Sequence, residues 1–281
     1  MMKKLKVYYT RFPNLGDRLN TLIIEKLFGY STVRRTPLTC RISAIGSGLG
    51  NFCYSGCPWL KMAEYLTGLL CHKTYIWGTG FIDSRTDRPF YRRQMVFCAV
   101  RGRLSKERAE KILGENLGDI PTADGGILAD ALLDTMLEKR YAVGIIPHFR
   151  ERQEPAFRAL QAKFDRSVII DLRDDPIAVI RQIAACETVI SSSLHGLVVA
   201  DSLHIPNIHV KVSDKLRGDG FKFDDYYSGY GITHRQFRPQ EIPDPDFIVR
   251  HYEISAAAVE EKKAQMKACF PYPAKHPAGV R

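Results

Sequence analysis

Six short stretches of this 281-residue chain concentrate glycine, short polar side chains, histidine and arginine: PNLGDRLN, GSGLGN, WGTGF, AVRGRLS, IPHFRE and SSSLHG, starting at residues 13, 46, 77, 99, 146 and 191. In SSSLHG, three hydroxyl side chains leave a β-type run and Gly196 permits close backbone approach where a helix begins. The free N–H groups and the positive end of that helix dipole would face an anion. His195 has an ordinary pKa of about 6.5, so it can donate a proton or a hydrogen bond beside a phosphate or carboxylate. A serine N-cap followed by a core histidine would leave the same residues. The position at a strand end, beside the other five stretches, favours an anion site built from Ser192, Ser193, Leu194, His195 and Gly196.

The remaining stretches supply complementary groups. Arg101 and Arg103 stand at a strand end, where a guanidinium binds a carboxylate or phosphate through two parallel contacts; for Arg103, surface solubility explains the residue equally well. His148 and Arg150 follow a strand of the second half. Asn14, Gly16 and Asp17 precede a helix, where Asp17 either caps it or orients a hydroxyl or serves as base. GSGLGN lacks the G-x-G-x-x-G order, so no nicotinamide or flavin cofactor is expected. FKFDDYYSGYG, from Phe221 to Gly231, sets five aromatics and two acids around two glycines. Aromatic faces with acids, as in Asp225, Tyr226 and Tyr227 beside Lys222, suit a sugar ring, and a folded aromatic loop over the cleft is the equal alternative.

These residues need a frame, and the apolar pattern supplies one. LKVYYT precedes DRLNTLIIEKLFG, whose Leu19, Leu22, Ile23 and Leu27 recur at helical spacing before Gly29 stops the run. RISAIGS and KTYIWGTGF read as strands ending in glycine, and QMVFCAVRG as a strand feeding the helix SKERAEKILGE with Ser105 as its N-cap. After ADGGILADALL a second series alternates YAVGIIPHF, PAFRALQAKF, RSVIIDL, DPIAVIRQIAAC, ETVISSS, GLVVADSLH and PNIHVKV. Strand–helix alternation predicts α/β architecture with parallel sheets covered on both faces. Two doubly wound, Rossmann-like domains are expected, over 1–135 and 136–281, with the ligand cleft at the strand carboxyl ends. No internal sequence repeat is visible. A helix over about 255–269 packs back on the body, and the tail FPYPAKHPAGVR reads as poorly ordered.

Composition narrows the functional classes. The 45% hydrophobic and 26% charged residues are those of a soluble globular protein, and no apolar run approaches the ~18 residues that span a bilayer. MMKKLKVYYT reads as an opening strand rather than a secretory signal, which predicts a cytoplasmic protein. Seven scattered cysteines fit reduced thiols, and Cys53 and Cys57 lack a second pair at zinc spacing, so no metal is expected. The net charge of +10 is uneven: Arg85 to Arg108 holds eight Lys/Arg against two Asp/Glu. Such a surface suits nucleic acid, an anionic membrane or an acidic substrate. No helix-turn-helix, zinc finger or RNP pattern accompanies it, so no nucleic-acid partner is expected.

In order along the chain, NLGDRLN, IWGTGF, CAVRGRLS, IIPHF, VISSSLHGLVVADSLHIP and FKFDDYYSGYG resemble the polysaccharide pyruvyltransferase family, in particular the bacterial ketal pyruvyltransferases of exopolysaccharide synthesis. The resemblance spans about residues 7–231, and SSSLHGL and KFDDYY are its specific blocks. It implies a GT-B-like pair of Rossmann-like domains, the first on the acceptor side and the second on the donor side. It also implies phosphoenolpyruvate as donor and a sugar hydroxyl or diol as acceptor; where that acceptor is a lipid-linked glycan unit, the basic face would sit against the anionic headgroups at the inner face of the cytoplasmic membrane as a peripheral contact. Donor-binding residues carry over onto Ser193, Leu194 and His195, and onto Arg101 of the VRG loop, with Ser192, Gly196 and His148 alongside. Asn14, Asp17, Lys222, Asp225, Tyr226 and Tyr227 fall on the acceptor side. Some relatives have arginine where this chain has Ser193, and many read Gly-Asp-Pro where it has Ala123, Asp124 and Gly125. The reaction so implied needs no cofactor: His195 is general acid or phosphate ligand, and Asp17 the base.

Two other classes fit the same residues. A GT-B glycosyltransferase using a nucleotide sugar would employ the same anion-binding helix. A noncatalytic protein binding a glycan or a membrane surface would use the basic region and the aromatic segment without consuming donor.

Overall fold

The structure is a computed structural model that describes residues 4–10, 14–70, 72–85, 87–135 and 137–275. The first half runs β1 (Leu5–Tyr8), α1 (Leu15–Phe28), β2 (Thr32–Arg35), β3 (Ile42–Ser43), α2 (Pro58–Leu70), β4 (Thr74–Trp77), β5 (Met95–Ala99) and α3 (Arg103–Leu113). The second runs β6 (Tyr141–Ile146), α4 (Pro155–Lys163), β7 (Ser167–Ile169), α5 (Pro176–Ala184), β8 (Cys186–Ser191), α6 (Leu194–Ser202), β9 (Asn207–Val210), α7 (Phe221–Ser228), β10 (Gln236–Phe237), α8 (Pro245–His251) and α9 (Ala256–Ala268).

Two five-stranded sheets result, ordered β2-β1-β3-β4-β5 and β10-β9-β8-β6-β7, and every strand pair is parallel. Counted from the first strand of each half, both have the order 2-1-3-4-5. The chain thus repeats one topology without repeating its sequence. In such a sheet the connections leave the first strand in one direction and the third in the other, so a crevice opens between their carboxyl ends. Here those ends are β1/β3 in one half and β6/β8 in the other.

One core joins the halves. Leu15, Leu19 and Ile23 of α1, Ile127 and Leu128 of the 3-10 helix Gly125–Leu132, and Leu197 and Val198 of α6 are fully buried in a single cluster. Asp124 caps that 3-10 helix by accepting from Gly126 N at 2.8 Å. α9 returns to the first half: Trp77 Nε1 donates to Met266 O at 3.0 Å, Lys262 Nζ to Thr122 O at 2.6 Å, and Lys263 pairs with Asp130 at 2.9 Å.

Several expectations need correction. β2 and α2 have no counterpart in the pattern reading: β2 is short and basic, and α2 turns its apolar residues outward, which hides the usual periodicity. Ser105 does not cap α3. That position belongs to Gly102, while Ser105 donates to Asp225 Oδ2 at 2.6 Å. Asp17 does not cap α1; Asn14 does, by accepting from Gly16 N at 3.4 Å. FKFDDYYSGYG is largely helix α7 rather than a loop over the cleft. In the tail, Phe270 stacks on Phe28 with centroids 3.6 Å apart and Tyr272 packs on Tyr75, so this part is ordered by aromatic burial. Residues 276–281 lie outside the described part.

Candidate active site

Between the two crevices lies a cavity of about 490 Å³. Its walls come from four strand ends: Tyr8–Thr10 after β1, Ile45–Gly48 after β3, His148–Arg150 after β6 and Ser193–His195 after β8. The N-terminal turns of α1 and α6 both open onto it, through Asn14 and Asp17 on one side and Ser193, Leu194 and His195 on the other.

The local chain explains why the α6 end stays open. Ser191 Oγ accepts from Ser193 N at 3.0 Å and donates to Ser193 O at 2.9 Å, which closes the turn. Ser192 Oγ accepts from His148 N at 2.9 Å, tying the β6 and β8 loops together. Gly196 is required, because a methyl there would strike Ser191 Oγ and Ile146. With Ser191 and Ser192 so engaged, Ser193 occupies the cap position without a side-chain cap bond. Among the described residues, the Leu194 and His195 N–H groups and His195 Nε2 have no hydrogen-bond partner. Uncapped helix N–H groups of this kind form an anion site.

His195 reaches across to the other half, where its ring rests against the Cα of Gly16 and near Gly46. A methyl at Gly16 would overlap the imidazole. Gly16→Ala is therefore expected to displace the ring and lower turnover by about 10²-fold, the scale of a ~1 Å misplacement. Steady-state kinetics and a melting curve that shifts by only a few degrees would show this; unchanged kinetics would mean that the ring position is unimportant.

The electrostatics favour a bound anion. Burial, reinforced by Lys222 and Arg101, pushes His195 down to about 3. His148 is also lowered to about 3, by burial and then by Lys222, Arg150 and His195. Lys222, in the first turn of α7, falls to about 8 through burial and Arg101, against the pull of Glu151. Lys222, Arg150 and Arg217 line the cavity, and none of them forms a salt bridge among the described residues. Cationic groups therefore crowd one another in this cavity. Opposite them, burial raises Asp17 to about 6, although Thr10 Oγ1 donates to its carboxylate at 2.7 Å.

Of the residues singled out from sequence, Asn14, Asp17, His148, Ser193, Leu194, His195 and Lys222 meet at the cavity, and Arg150 with them. Ser192 and Gly196 stand just behind it and shape it. Arg101 is not on the wall. It is fully buried, with Nε on Asp225 Oδ2 at 2.9 Å, Nη1 on Ser47 Oγ at 2.6 Å and Nη2 on Phe81 O. Those bonds use its fork to tie Ser47 of the wall and Phe81 to α7, so Arg101 braces the site from behind its wall. Asp225 is consumed in the same pair, Tyr226 donates to buried Asp201 Oδ2 at 2.6 Å, and Tyr227 stacks on His234. The helical form of this segment seats these three in the body and leaves Lys222 to reach the cavity. Arg103 lies at a separate surface groove. Tyr8, Tyr9, Thr10, Ser47 and Arg217 line the cavity without having been singled out as binding groups; Ser47 belongs to the rim stretch GSGLGN but carries no separate signal there, and Arg217 sits in no pattern at all.

Two parallel sheets meeting at a cation-lined cleft define an α/β protein with a ligand-sized cavity, and comparison makes the class specific. Residues 3–214 match the family described as polysaccharide pyruvyl transferase, and the chain belongs to that family. It is 29% identical over 236 residues, 82% of this chain and 76% of the relative, to an uncharacterized protein of Acanthamoeba polyphaga mimivirus. It is 30% identical over 110 residues to the succinoglycan biosynthesis protein ExoV of Rhizobium meliloti (strain 1021), covering 38% of this chain and 32% of ExoV. The protein is accordingly a transferase of pyruvyl groups to polysaccharide.

Proposed function

We propose that this chain transfers the pyruvyl group of phosphoenolpyruvate to two hydroxyls of a sugar in a lipid-linked exopolysaccharide or cell-surface glycan unit. The carrying observation is the open end of α6, where the Leu194 and His195 N–H groups are free and Ser193, Leu194 and His195 line a cavity rimmed by Lys222, Arg150 and Arg217. A small molecule bearing both a carboxylate and a phosphate satisfies such a set. In this reading the halves 1–135 and 136–281 face each other in a GT-B-like way, with donor on the second and acceptor on the first, at the inner face of the cytoplasmic membrane.

Protonation of the methylene carbon makes the central carbon electrophilic, and one sugar hydroxyl adds to it. Phosphate then leaves and the second hydroxyl closes the ketal. The first hydroxyl's proton replaces the one given to carbon, and the second leaves with phosphate. His195 gives the proton or holds the phosphate, and Asp17, poised near 6, accepts the hydroxyl proton. No cofactor enters these steps. Incubation with phosphoenolpyruvate and a glycan acceptor should yield phosphate and an acceptor heavier by a pyruvyl ketal in the mass spectrum. Phosphate-free incubations with every acceptor, together with stabilisation by a nucleotide sugar in thermal shift, would sink the reading.

Lys222, which the resemblance puts on the acceptor side, is assigned to the donor in this reading because its charge acts on His195, and donor binding should depend on pH through it. A bound anion raises the ammonium pKa above its free value of about 8. Affinity should hold below that pH and fall as pH rises through the interval to the bound pKa, by up to about tenfold per unit. Lys222→Met should weaken donor binding by about tenfold to a hundredfold and abolish this alkaline limb, as read by calorimetric titration.

A further inference from the structure

α2 is built inside out. Glu64 and Gly68, one turn apart, are the buried residues of its stretch 58–69: Glu64 accepts from Ser55 N at 3.0 Å, and Gly68 lies against Tyr91 O. Trp59, Met62, Leu66 and Leu69 recur at steps of three and four with Tyr65 beside them, and these five are 82%, 65%, 45%, 45% and 47% exposed. Side chains of this size would ordinarily be buried, and a contiguous apolar face left in water marks a contact surface.

The charge around it identifies the contact. Lys61 on the helix, Lys73 just past it, Arg88 beside Ser55 and Arg93 are exposed, and Arg93 lies over the Tyr65 ring at 5.9 Å. Of the carboxylates in and beside these segments, Glu64 is buried, Asp87 pairs with Arg108 and Lys111, Asp83 faces the cavity, and exposed Asp219 is held on Ser84. A second copy of the chain docking through the same face would bring these cations against their own duplicates. An anionic lipid surface would instead neutralise them while the Trp, Tyr, Leu and Met side chains enter the headgroup boundary. No helix of the described residues is long and apolar enough to cross a membrane.

We propose that α2 lies in the plane of an anionic membrane and anchors the protein to it. The same chain segment connects to the cavity, because Asn51 precedes α2 and Ile82, 36% exposed, follows β4, and both line its wall. Anchoring therefore carries the cavity mouth to the headgroups, which rests on the proposed lipid-linked acceptor only for its purpose and not for the binding itself.

The test is cosedimentation of the full chain with vesicles of phosphatidylcholine alone or mixed with 30% phosphatidylglycerol. Binding is expected to the mixed vesicles, to weaken with salt, and to be at least about tenfold weaker to the neutral ones. W59E/L66E should reduce it by roughly a hundredfold, about tenfold per buried side chain lost, with the melting temperature unchanged. Of the two tryptophans, Trp77 is fully buried, so a blue shift of the emission on adding vesicles would report Trp59 entering the lipid. Absence of binding to mixed vesicles, binding unaffected by W59E/L66E, or a solution dimer that this double variant dissociates without any vesicle binding would each overturn the proposal. None of these measurements depends on pyruvyl transfer.

Discussion

Replacing His195 by alanine is expected to lower kcat/KM for pyruvyl transfer by about 10²- to 10⁴-fold, with a small change in melting temperature. The ring is neutral in the free protein because burial and the cations Lys222 and Arg101 hold it at about 3. An anionic donor beside it reverses that balance and raises its proton affinity, so the imidazole can acquire a proton only when substrate is in place. Its Nε2 is buried and has no hydrogen-bond partner among the described residues, so this role requires a donor oxygen to reach it. His195→Gln separates the two roles. A side chain that only holds phosphate is replaced by the amide with recovery to within about tenfold, whereas proton transfer is not, since an amide does not titrate. Near-normal rates for His195→Ala would remove the residue from the chemistry altogether.

The second large effect concerns folding. Arg101→Met should destabilise the protein by about 3–5 kcal/mol, the usual cost of leaving one member of a buried ion pair alone. Asp225 would then be fully buried with two donors from Ser105 but no cation. Urea denaturation should show the loss, and R101M/D225N should recover part of it, because both charges are then gone. In protein kept folded at low temperature, the KM for donor should stay within a few-fold of wild type. A raised KM with unchanged stability would instead make Arg101 a direct donor ligand.

Much of this protein is legible in its sequence for physical reasons. Parallel α/β units must end their strands in loops at one rim, so glycine, serine, histidine and arginine concentrated in PNLGDRLN, IPHFRE and SSSLHG mark that rim before any coordinates are known. Backbone rules also carry far: Gly29 ends α1 in the left-handed region at φ 69°, and Ser255 caps α9. Caps are less secure where several polar residues compete, as Asn14 displaced Asp17 and Gly102 displaced Ser105. α2 escaped because the pattern reading assumes apolar residues face inward, and there they face out.

By itself, then, the sequence determined the α/β class, the family, and four of the loops that line the cavity, PNLGDRLN, GSGLGN, IPHFRE and SSSLHG, because alternation, capping and turn chemistry are local properties. Only the tertiary structure decided which members of those loops face the cavity. Arg101 and His195 are both strand-end residues with polar heads, and nothing local tells them apart. Asp225, 124 residues away, captures one, while Gly16, on the opposite half, leaves room for the other. Distant contacts of this kind exist only once both sheets have folded against a common core.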